Sequence, residues 1–166
     1  MKNKRHPFSK NFSFTEEKAK SLATHSVCEF IKSVKARKNS LRQEKRVARA
    51  MLKKVCAKFE NFKLLSNKDG GTAYVVLNKD ENIIVKFGGT TDISCGEHIP
   101  YRAVPTAFVD IDDSMVVRVQ PKVNTSKDAI KRAMNFLENK SLDEIGYDLH
   151  DGNVGKYKGK YVVHDW

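Results

Sequence analysis

Several features that would place a chain quickly are scarce or missing in this 166-residue sequence. There are three cysteines, Cys28, Cys56 and Cys95, odd in number, far apart and without metal-ligand spacing. That excludes a disulfide framework and a zinc module, and reads as reduced thiols in a cytosol-like compartment. No apolar run reaches the ~18 residues that a transmembrane helix needs, so no membrane partner is expected. The basic N-terminus lacks the apolar core of a secretory signal: Phe8, Phe12 and Phe14 stand among polar residues. Internal repeats and low-complexity linkers are missing as well.

Acidic residues are scarce in one region only. Residues 1–63 hold 18 Lys/Arg against 5 Asp/Glu, whereas residues 64–166 hold 13 against 15. The overall net charge of +11 therefore belongs to the N-terminal third, and an asymmetry of that kind points to a partner surface there. With 40% apolar and 31% charged residues, the chain should fold as one globular domain with a very polar surface, or one domain plus an appendage.

The hydrophobic period then divides the chain. Residues 1–12 are basic and aperiodic, and Ser13-Phe-Thr-Glu16 has the spacing of a capping box. Ala19, Leu22, Ala23, Val27, Phe30, Ile31 and Val34 recur at helical intervals and predict a helix to about Arg37. Ser40-Leu-Arg-Gln43 offers a second capping box, and Leu41, Val47, Ala48, Met51, Leu52, Val55 and Phe59 predict a second helix to about Glu60. The two helices would cover each other or a sheet. Short β-rich runs follow at Phe62–Ser66, Thr72–Asn78, Asn82–Phe87, Ala103–Ile111 and Met115–Lys122, separated by turn formers. They predict a five-stranded antiparallel sheet with one face to cover, in an α+β fold. Ser126–Asn139 returns to helical spacing.

The chemistry gathers in the last twenty residues. Asp148 and Asn153 stand five apart in a loop-like segment with Gly152 between them, and Tyr161-Val162-Val163 leads as a strand into Asp165. Two carboxylates and an amide suit a hard cation and removal of a hydroxyl proton.

Three segments, in order, resemble the protein-kinase-like fold, in particular its aminoglycoside phosphotransferase and choline kinase branch. Ile83-Ile-Val-Lys86-Phe resembles the third strand of the small lobe, Asp148-Leu-His-Asp-Gly-Asn153 the catalytic loop, and Val162-Val-His-Asp-Trp166 the strand and metal-binding Asp. Short phage-encoded serine/threonine kinase-like proteins look similar in this region. The resemblance implies an ATP- and Mg²⁺-dependent phosphotransferase in which Asp148 takes or orients the acceptor proton. It implies that Asn153 and Asp165 hold Mg²⁺ and that Lys86 contacts the phosphates. Val119-Gln120-Pro-Lys122 would be the hinge that hydrogen-bonds adenine through its backbone.

The sequence also departs from that pattern. The glycine-rich loop shrinks to Asp69-Gly70-Gly71, and Gly146 replaces the usual His two before the catalytic Asp. For the Glu that would pair with Lys86, Glu97 is the nearest candidate, with Glu29 and Glu44 as alternatives. Only Trp166 follows Asp165, which predicts a truncated helical large lobe. The expected organisation is a basic tail and helical hairpin (1–61), then a minimal kinase-like domain (62–166), divided into a small-lobe sheet (62–122) and a truncated large lobe (123–166). The acceptor would be a hydroxyl of a protein Ser/Thr or of a small molecule, and the location cytoplasmic, a host's cytoplasm if phage-encoded. Completion of the large lobe by a homo-oligomer is a further expectation. The alternative is a catalytically weak, pseudokinase-like binding protein that engages an acidic protein or nucleic acid through the basic helices.

Overall fold

In the computed structural model, residues 21–65, 73–89, 102–112, 115–139 and 149–164 are described. Three helices come first: α1 (His25–Lys35), the short α2 (Lys38–Leu41) and α3 (Lys45–Lys58). Five strands follow, β1 (Phe62–Leu64), β2 (Tyr74–Asn78), β3 (Ile83–Gly89), β4 (Ala107–Asp112) and β5 (Met115–Pro121). Helix α4 (Lys127–Glu138) and a hairpin of β6 (Val154–Tyr157) and β7 (Lys160–Val163) complete the set.

The helix starts differ from those read off the sequence. Thr24 caps α1, its hydroxyl accepting from the Val27 amide at 3.3 Å, while the capping box at Ser13 lies outside the described residues. Ser40 does not cap the second long helix. It sits inside α2, whose Leu41 is buried, and α3 begins after Glu44 with no side-chain cap. That start turns Ala48, Met51, Leu52 and Val55 inward. By contrast, α4 has the expected ends, with the Ser126 hydroxyl accepting from the Ala129 amide.

The five strands form one antiparallel sheet in the order β1-β2-β3-β5-β4, so β5 inserts between β3 and β4. The β2–β3 turn is tight: Asn82 takes φ +52°, a left-handed conformation that Asn tolerates. Strand β4 starts at Ala107, later than expected, because Ala103 and Val104 join another partner. Ala103 bridges Val163 in parallel, and the Val104 N–H donates to the Val163 carbonyl at 2.8 Å.

Strand geometry sends alternate residues to opposite faces. One face carries Tyr74, Val76, Val85, Phe87, Met115, Val117 and Val119 into a core shared with Val27, Phe30, Val34, Leu52 and Val55 of the helices. Four phenylalanines lock that junction. The Phe30 ring stacks on Phe62 with centroids 4.2 Å apart, meets Phe59 edge-on at 5.5 Å and lies 6.1 Å from Phe87. Both helices thus pack on the sheet, and their stripes do not merely cover each other.

A second core joins Ala103, Val104, Val123, Ala133, Leu137, Val154, Val162 and Val163. The hairpin turns through Lys158 (φ +46°) and Gly159 (φ +78°), the two positive-φ positions that a tight two-residue β-turn requires. Asn124 and Lys156 exchange backbone bonds at 3.0 Å in both directions, fastening β6 to the connection between β5 and α4. A Cβ on Gly155 would lie 2.7 Å from the Asn124 carbonyl oxygen, so only glycine permits that approach. Among the described residues, no helix is long and apolar enough to cross a membrane.

Candidate functional site

Lys86 sits midway along β3, on the sheet face turned away from α1 and α3. Register pairs it with Val75 on β2 and with Arg118 on β5, and Arg118 pairs with Phe108 on β4. Directly paired residues share a face. Val75, Lys86, Arg118 and Phe108 therefore form one row across four strands. The next row brings Leu77, Ile84 and Gln120 together on the same face.

This face is buried yet polar, with Lys86 7%, Arg118 1% and Gln120 2% exposed. Burying such groups disfavours folding unless interactions compensate, so three in adjacent rows mark a place with a demand beyond packing. The Arg118 guanidinium lies 5.7 Å from the Phe108 ring centroid, a cation–π contact. Phe108 in turn packs against the second core, which places Arg118 where the sheet meets the C-terminal elements. Among the described residues, the buried Gln120 side-chain carbonyl meets no hydrogen-bond donor.

By alternation Lys122, two residues beyond Gln120, continues this line just past the end of β5, and its amide donates to the Asn82 carbonyl at 2.7 Å. A cavity of about 540 Å³ opens there, lined by Asn82, Lys122, Val123, Asn124, Thr125 and Ser126. The Lys122 N–H is thus committed to the sheet, and the Asn124 N–H and carbonyl are committed to Lys156. From the Lys86 row to the cavity is four residues of strand, about 13 Å, comparable with an extended nucleoside triphosphate.

The loop before β6 carries another of the predicted site residues, Asn153. Leu149, half-buried, belongs to the edge of the second core. The Asn153 carboxamide oxygen accepts the His150 amide at 3.1 Å, while the Asn153 amide donates to the His150 carbonyl at 3.0 Å. The Gly152 amide donates to His150 Nδ1 at 3.0 Å, and a Cβ on Gly152 would come within 2.9 Å of that ring. Then the His164 amide donates to the Asn153 carbonyl at 2.8 Å, so the chain leaving β7 runs beside the loop. Asn153, 1% exposed, is the pin between the two segments.

The described part of the predicted site comprises Lys86, Gln120, Lys122 and Asn153, with Lys86, Gln120 and Lys122 on one sheet face. Asp148, Asp165, Glu97, Gly70 and Gly71 lie outside the described residues; Leu149 and His164 adjoin the first two in sequence. Of the two alternatives to Glu97, Glu29 pairs with Lys32 at 2.8 Å, and Glu44 is exposed ahead of α3. Both belong to the helices on the opposite face from Lys86. No group of three or more His, Cys, Asp or Glu side chains suited to a metal occurs among the described residues. The Asn153 carboxamide oxygen is of the ligand type that suits a hard cation, and it already accepts the His150 amide.

The sequence reading missed Arg118 altogether and took Gln120 for its backbone only. A signal was present for the first, since a single Arg interrupts the apolar run Met115-Val-Val-Arg118-Val. In a strand covered on both sides, such a residue is buried on one face or the other. Comparison with models of known families, with curated proteins and with solved structures yields no match. The functional reading therefore rests on this chain's own residues and geometry.

Proposed function

We propose that the chain is an ATP- and Mg²⁺-dependent phosphotransferase with a minimal protein-kinase-like fold, moving a γ-phosphoryl group to a hydroxyl acceptor. The observation that carries this reading is the sheet face that aligns buried Lys86, Arg118 and Gln120 with the cavity at Lys122–Ser126. Cations at one end of that line suit phosphates. At the other end a cavity lined by Asn82, Lys122, Asn124, Thr125 and Ser126 offers polar groups to a base. Phosphoryl transfer depends on positioning and charge neutralisation more than on covalent chemistry, and this arrangement offers both.

In this reading Lys86 and Arg118 hold the phosphates. Asn153 and Asp165 would hold Mg²⁺, which supplies neutralisation of phosphate charge. Asp148 orients the acceptor hydroxyl, and the hydrogen bonds through Asn153 keep the loop and the end of β7 together. Either a protein Ser/Thr or a small molecule can present that hydroxyl.

Thermal unfolding with and without ATP and Mg²⁺ tests nucleotide binding, because a ligand at about 100 times its Kd adds about 2.7 kcal/mol to the folded state. Lys86→Met should lose that shift while the nucleotide-free protein still unfolds cooperatively. Transfer from labelled ATP to a panel of protein and small-molecule hydroxyls should then disappear in Asp148→Ala with the thermal shift retained. Saturating nucleotide that leaves the unfolding temperature of the wild-type protein unchanged would overturn the proposal.

A further inference from the structure

Six of the 18 cations in residues 1–63 stand on one helix, on the far side of the sheet from Lys86. Helix α3 (KRVARAMLKKVCAK) carries six cations and no acid. At 100° per residue its buried residues Ala48, Met51, Leu52, Val55 and Cys56 occupy one arc. The remaining arc consists of Arg46, Arg49, Lys53, Lys54 and Lys58, exposed Ala50 and Ala57, and half-buried Val47. Arg46, Arg49 and Lys53, three and four apart, form a continuous stripe. Its middle member is held in place: Arg49 donates from a guanidinium nitrogen to the Leu65 carbonyl at 3.5 Å. Among the described residues Arg46, Lys53, Lys54 and Lys58 make no ion pair. The neighbouring helix differs, since α1 balances Lys32 with Glu29.

Helix stability does not account for this pattern. Lys45 and Arg46 lie in the first turn, where the helix dipole disfavours cations, with no acid and no side-chain cap there. A sequence tuned only to hold α3 on the sheet would place acids in that turn.

We infer that the outer face of α3 binds the phosphate backbone of double-stranded nucleic acid. An acidic protein would need large apolar anchors at the centre of its interface, and this arc offers only two alanines and the half-buried Val47. Duplex phosphates need no such area, because their affinity comes from counterion release. The small centre lets both flanks of cations approach a convex backbone. With no aromatic ring on the exposed arc there is nothing to stack single-stranded bases, and with no Asn or Gln on α3 there is no bidentate reader of adenine.

Anisotropy of a labelled mixed-sequence 20-base-pair duplex tests this on the full chain. Log K should fall against log salt with a slope of about −4, roughly a two-hundredfold loss from 50 to 200 mM for four or five neutralised phosphates. Combined Arg46→Gln, Lys53→Gln, Lys54→Gln and Lys58→Gln should weaken binding at least about tenfold and flatten the slope by about 0.9 for each phosphate no longer neutralised. Its unfolding temperature and its response to ATP should match the wild type, and single Lys53→Glu provides the same comparison with less change. Duplex binding that is salt-independent, or equal in wild type and variants, overturns the inference. So does tighter binding of poly-glutamate or of a single strand of the same length.

Discussion

The two faces of the five-stranded sheet are built from the same strands and do opposite things. Toward α1 and α3, Tyr74, Val76, Val85, Phe87, Val117 and Val119 meet helix residues in an apolar core. On the other face, which Phe108 joins to the second core, the intervening positions carry Lys86, Arg118 and Gln120, all buried. A face of the first kind stabilises by removing apolar area from water. The second kind holds groups that favour water, and it is retained where something other than stability selects it. Alternation at a period of two lets one strand serve both purposes, which is why β3 and β5 contribute to the fold and to the candidate site through adjacent residues.

The largest effects should come from the apolar face. Phe30 is fully buried, stacks on Phe62 and touches Phe59 and Phe87. Phe30→Ala leaves a cavity between helix and sheet and should cost about 3–5 kcal/mol. Since small domains total about 5–15 kcal/mol, denaturant titration should find the variant close to unfolding. Phe30→Leu, which keeps most of the volume, should lose much less and leave the response to nucleotide intact. If Phe30→Leu abolished that response, the two faces would not be separable.

Caps give a finer probe, one on each side of the sheet. The Thr24 hydroxyl accepts from Val27 and also donates to the Glu81 carboxylate at 2.7 Å, tying α1 to the β2–β3 turn. Glu81 further accepts from the Asn78 carboxamide at 2.8 Å. Ser126 caps α4 through the Ala129 amide alone. Each Ser/Thr→Ala change should cost about 1 kcal/mol, with Thr24→Ala the larger because it breaks a tertiary link as well. The order of the two denaturant midpoints checks this, and equal losses would show that the Thr24–Glu81 bond contributes nothing.

How much of this was legible in the sequence follows from the range of the interactions involved. The five strands, their apolar period and helix Ser126–Asn139 could be read because the signals are local. The place of β5 between β3 and β4 could not, and with it went the pairing of Lys86 with Arg118, which only the register creates. Strand β4 was read too long because Val104 is a β-former, and Ala103 and Val104 pair instead with Val163, some sixty residues away. Ser40 had the right spacing for a cap, but burial of Leu41 placed it inside a helical turn. For the candidate site, the spacing of Asp148 and Asn153 was visible; the hydrogen bonds that join Asn153 to both His150 and His164 were not.

The smallest effect tests the contrast between α1 and α3. On α1 the Glu29 carboxylate accepts from the Lys32 ammonium at 2.8 Å, one turn apart, and both groups are solvent-exposed. The hydrogen bond and charge of Lys32 hold the Glu29 carboxyl below its ordinary range, and Glu29 raises Lys32 in return. A carboxyl lowered in the folded state stabilises above its unfolded pKa, and that contribution is lost as pH falls through the folded value. For Lys32 the sign reverses: its contribution is present below the ordinary lysine range and is lost as pH rises through the raised folded value. NMR titration should place Glu29 below the usual carboxylate range at low salt, with the shift shrinking as salt is added. Lys32→Gln should return Glu29 toward that range without disturbing the stripe on α3, which has no acid to respond. Duplex affinity unchanged in Lys32→Gln would then assign binding to α3, whereas a loss as large as that of the α3 variant would spread the surface across both helices.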